Sequence, residues 1–148
     1  MAATLQEILL APDNQPQVIA DCLTLIDAEL ADKSGISGNA LKLAYKTVSS
    51  FASGYVRQMV AEILPHAADR LQPYWTDFRA SGGAEFGDYL AKRGDEVAES
   101  LLTITDTWAE ESDKAIVVKV YRAVRGGAAK HVEAALPRVG DLVLKYAG

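Results

Sequence analysis

Glu62, His66 and Asp69 are spaced by four and three residues, so on one continuous helix they share a face. A carboxylate, an imidazole and a second carboxylate side by side could bind a divalent metal ion or move a proton. Pro65 stands inside this run, and a kink there would carry Glu62 away from the other two. A solvated helix face explains the same three residue types, because Glu, His and Asp are commonly exposed. His131, beside Glu133, has no second ligand at metal spacing, and two histidines with one cysteine do not suit a structural zinc site. No serine occupies a nucleophile-elbow pattern, and neither Gly82-Gly83 nor Gly126-Gly127 carries the lysine and hydroxyl of a phosphate loop. No cofactor is expected.

Two further groups could form a partner surface. Tyr74, Trp75 and Phe78 cluster just ahead of Ser81-Gly82-Gly83. Exposed, they would anchor a protein partner; buried, they would fill the core at a junction. Lys119, Arg122 and Arg125 follow an acidic run from Asp95 to Asp113. They could hold an anionic partner, or pair with their own acidic neighbours across a helical hairpin, which is the simpler arrangement.

The elements that must position these residues all read as helices. Thr4-Leu5-Gln6-Glu7 has capping-box spacing and opens a short helix to about Ala11. Asp13 or Asn14 caps the next, with Pro16 in its first turn and Val18, Cys22, Leu25 and Glu29 at helical period. After the loop 34–38, a long stripe runs from Leu41 to Ile63, ended or kinked by Pro65, which opens a helix to about Arg79. Beyond the linker 80–84 the events recur. A short helix spans about Glu85 to Lys92, Asp95 caps the next, and Ser112 caps a long one that lasts until Pro137 opens a final segment. No stretch alternates with the two-residue period of a strand.

The second half can be laid on the first. Asp27 falls on Asp106, Tyr45 on Tyr121, Leu64-Pro65 on Leu136-Pro137, Asp69 on Asp141 and Tyr74 on Tyr146. The expected fold is therefore all-α, a compact single-domain bundle of six to eight helices. It would be built from two duplicated units, 4–79 and 85–147, under approximate two-fold pseudo-symmetry. Small residues suggest where the long helices cross: Ser49, Ser50, Ala52, Ser53 and Gly54 in one half, Gly126 and Gly127 in the other. The repeated aspartates could meet in a symmetric carboxylate site, although helix-end stabilisation explains them more simply.

At 148 residues and 49% apolar, the chain can fill a core without disulfides or metals, and its single cysteine, Cys22, reads as a small hydrophobe. A net charge of −5 disfavours nucleic acid. The opening residues lack a basic start and a cleavage pattern, and no long apolar run follows, so a cytoplasmic protein without a membrane span is expected. The leading expectation is a non-enzymatic module that binds a protein partner or itself, a homodimer included. The alternatives are a small-ligand or metal-dependent enzyme using Glu62, His66 and Asp69, and a lipid-holding bundle.

Overall fold

The computed structural model describes residues 3–33, 35–51 and 54–148, among which every regular element is helical. In chain order these are α1 (Leu5–Leu9), α2 (Gln15–Asp32), α3 (Gly35–Phe51), α4 (Tyr55–Ser81), α5 (Phe86–Ala91), α6 (Gly94–Glu111) and α7 (Ala115–Ala147). The capping box forms: Thr4 Oγ1 accepts from Glu7 N, and Thr4 N donates to Glu7 Oε1. Asn14 turns the chain differently from the expected cap, donating from its side chain to Ile8 O at 2.9 Å.

The breaks expected at Pro65 and Pro137 do not occur; α4 continues through Pro65 and Pro73, and α7 through Pro137. Each proline deletes one backbone bond at a cost of about 3 kcal/mol. Burial outweighs it. Along α4, Val56, Val60, Leu64, Ala68, Leu71, Trp75 and Phe78 are all buried, and a large apolar side chain contributes about 1.5–3 kcal/mol when covered. The break falls instead ahead of Tyr55, where Gly54 takes the left-handed φ of +77° that a residue with a Cβ adopts only under strain.

The core is one cluster in which Leu5, Leu9, Val18, Phe78, Phe86, Leu90, Val97, Leu136 and Val143 are each at most 2% exposed. Helix α7 is its spine, packing against α1, α2, α3, α5 and α6. The tightest approach is between α5 and α7, where a Cβ on Gly140 would overlap the backbone of Gly87 and one on Gly87 would come within 2.7 Å of Pro137 O. This corrects the expected crossing. A Cβ on Gly126 or Gly54 meets nothing within 4 Å, and Ser50 is exposed, its hydroxyl donating to Lys46 O. Gly127 is half-buried, while Ala52 and Ser53 lie outside the described residues. Among the described residues no helix is long and apolar enough to cross a membrane.

Candidate functional site

Between α2, α3, α4, α6 and α7 lies a cavity of about 340 Å³ that is partly open to solvent. Its wall is almost wholly apolar: Leu25 and Ile26 of α2, Val48 of α3, Met59 of α4, Trp108 of α6 and the Val117, Val124, Ala128 and Val132 stripe of α7. Two tyrosines, Tyr45 and Tyr121, also line it.

Both hydroxyls are tied to an aspartate. Tyr45 Oη donates to Asp27 Oδ1 at 3.4 Å, and Tyr121 Oη donates to Asp106 Oδ1 at 2.5 Å. The second carboxylate also takes a two-point bond from Arg125, Nε to Oδ1 at 2.8 Å and Nη2 to Oδ2 at 3.2 Å. Those guanidinium bonds, helped by Tyr121, hold Asp106 below the ordinary carboxylate range, while burial and Asp106 push Tyr121 up to about 12. The ring is thus neutral at physiological pH and fixed as a wall.

One end of the cavity carries charge. Glu29 is 8% exposed, and accepts from Lys33 Nζ at 3.0 Å and from Arg138 Nη1 at 2.7 Å. Lys33 reaches on to His131 O at 3.4 Å, and His131 itself is held below its usual pKa, first by burial and then by the positive charge of Lys33. A neutral imidazole therefore sits beside a compensated ion pair.

A second depression, of about 410 Å³, lies between α4 and α6, and the uninterrupted α4 brings Glu62, His66 and Asp69 into it together with Arg70, whose Nη1 donates to Thr103 Oγ1 at 3.0 Å. All three of the expected site residues are exposed. Among the described residues no three or more His, Cys, Asp or Glu side chains are grouped closely enough to hold a metal ion.

The family model that matches residues 5–147 is described as a family of unknown function, DUF6918. The chain belongs to that family. No curated protein and no solved structure matches it.

In this DUF6918 member the aromatic part of the expected partner surface is largely interior. Trp75 is 6% and Phe78 2% exposed, and both pack with Phe86 at centroid separations of 5.1 and 5.0 Å. Tyr74 is half-buried and donates to Glu96 Oε2 at 2.7 Å. Arg125 is engaged by Asp106 and, at 3.3 Å, by Glu99, so it pairs with its own hairpin partner. Lys119 and Arg122 stand exposed on α7. Cys22 packs on the core, with burial pushing its thiol up to about 11, which makes it a poor nucleophile.

The apolar cavity is what sequence reasoning missed. Its lining reads as ordinary core stripes. The signal that distinguishes the site is Glu29, a charge on the same stripe as Val18, Cys22 and Leu25.

Proposed function

We propose that this chain is a non-enzymatic module that holds an apolar ligand of the acyl-chain class inside its helical bundle. One observation carries the reading: the cavity of about 340 Å³ with its nearly unbroken apolar wall. Apolar side chains left facing water in this pocket cost about 25 cal/mol per Å² of exposed surface. A ligand of matching chemistry offsets the cost, and the volume lies in the range of small-molecule sites.

The test is native mass spectrometry of the purified protein, followed by solvent extraction and reloading with fatty acids and alcohols of graded chain length. Adducts of a few hundred daltons, and a melting temperature that climbs with chain length, are expected. A protein that retains nothing and shows no shift with any chain length refutes the reading.

The halves are further proposed to be copies with boundaries at 4–79 and 85–147. The two Tyr-Asp bonds support this, since Tyr45 with Asp27 and Tyr121 with Asp106 are equivalent positions in the duplicated alignment. The grooves support it too. His66, Asp69, Thr103 and Ile104 line one, and their counterparts Arg138, Asp141, Thr24 and Leu25 line another. A cavity at the junction of two copies, neither able to enclose it alone, follows from that origin. A reducing cytoplasm suits the free Cys22.

Self-association is the second reading, favoured by the exposure of Ile36 at 93% and Leu43 at 66% on the outer side of α3. Light scattering of wild type against Leu43→Glu decides it: a dimer that dissociates supports it, and a monomer at all concentrations refutes it.

A further inference from the structure

The geometry points to α3 as a lid over the apolar cavity, swinging about Gly35 and Gly54 to admit and release the ligand; this rests on the ligand-holding reading above. Helix α3 gives the cavity Leu41, Ala44, Tyr45 and Val48. Its attachment is shallow. Its described hydrophobics are at most partly buried, Tyr45 and Val48 packing against the core without being enclosed by it, whereas α2, α4, α6 and α7 each supply fully buried ones. Its outer surface leaves Ile36 and Leu43 to solvent, and the bond tying it to α2, Tyr45 Oη to Asp27 Oδ1, is a long 3.4 Å. An element with few deep contacts opens at a small fraction of the global unfolding free energy.

Each end of α3 also has a pivot. Gly35 has φ +76° and Gly54 φ +77°, and a Cβ at either would meet nothing within 4 Å. Their neighbourhood therefore does not explain the glycines; the backbone conformation does. The equivalent stretch of the second half, the start of α7, lacks this freedom because α7 runs unbroken from Ala115 to Ala147. Opening is thereby confined to one side of the cavity. In the closed arrangement the apolar side chains of α3 cover the ligand, and in the open one the chain passes between α2 and α7.

The test uses the full chain and the neutral apolar dye N-phenyl-1-naphthylamine. Hydrogen exchange of the protein without dye should show α3 amides exchanging at least tenfold faster than those of α6, and saturating dye should slow α3 selectively. Gly54→Ala penalises the left-handed turn of the closed arrangement, so the stopped-flow on-rate should rise about fivefold, the factor equivalent to roughly 1 kcal/mol. Gly82 is the control, with φ +74°, equally open surroundings and a position at the far end of α4. Gly82→Ala should leave the on-rate unchanged. Equal acceleration by both variants, or α3 protection matching α6, overturns the lid while leaving the cavity standing. Failure of the dye to bind at all refutes the cavity, and α3 exchange measured without dye then still decides whether the segment opens.

Discussion

Replacing Ala128 by leucine asks about the cavity through the sign of the stability change. Ala128 lies one helical turn from Val124 and from Val132 in the α7 part of the wall. Leucine adds three carbons, and burying each contributes about 0.8 kcal/mol, while the loss of helix propensity relative to alanine is only a few tenths. The ligand-free variant should therefore be more stable by about 2 kcal/mol, a rise of about 6 °C in melting temperature for a domain of this size. In a close-packed interior the same change overfills the site and costs about 1–3 kcal/mol. Urea denaturation of extracted protein measures the difference directly, and binding of the apolar dye to the same variant should weaken at least tenfold because the added side chain occupies the ligand's space. A destabilised variant with dye uptake intact would show that the space assigned to the ligand does not exist.

Three more outcomes follow from particular contacts. Gly140→Ala should cost more than about 3 kcal/mol, since its Cβ collides with the Gly87 backbone, whereas Gly126→Ala should gain about 1 kcal/mol because its surroundings are open; urea midpoints of the two separate the outcomes. Glu29→Ala should cost about 3 kcal/mol by leaving Lys33, 9% exposed, without its carboxylate, against less than about 0.5 kcal/mol for exposed Glu62→Ala in the same denaturation assay. Stability should fall as pH drops below the unfolded carboxylate value of 3.8, because Asp21, bonded by Lys145 and Tyr146, and Asp106, bonded by Arg125, titrate lower when folded than when unfolded. Tyr121 acts at the other extreme. Its contribution is complete below its unfolded pKa near 10 and is lost as pH rises through about 12, so Tyr121→Phe should flatten melting curves in that window.

The helices were legible because apolar periodicity is a local signal, and the capping box at Thr4 to Glu7 announced its own hydrogen bonds. The prolines misled for an identifiable reason. A proline's cost is local and known, but the burial that overcomes it, along Leu64, Ala68 and Leu71 or around Leu136 and Val143, depends on partners far away in the chain. The glycines misled in the same way. Gly126-Gly127 looked like a crossing because two adjacent glycines are conspicuous, while Gly87 and Gly140, isolated and separated by about a third of the chain, make the real close approach. The pairing of Arg125 with acidic α6 was the simpler of two readings and is the one observed; the aromatic cluster at Trp75 and Phe78 likewise turned inward. The cavity was invisible because a stripe such as Val117, Val124 and Val132 looks identical whether it meets another side chain or a gap. Only the three-dimensional spacing of the helices distinguishes the two.

The spine role of α7 has a consequence for how the protein is made. Leu5 and Val18 are sealed by a core that includes Leu136 and Val143, so the earliest helices to leave the ribosome wait for the latest. At roughly 5–20 residues per second, the stretch after α4 takes several seconds to emerge, during which the apolar faces of α1, α2 and α4 have only one another to cover them. Slowing translation between α4 and α7 should therefore prolong the nascent chain's hold on chaperones and raise the fraction lost to aggregation.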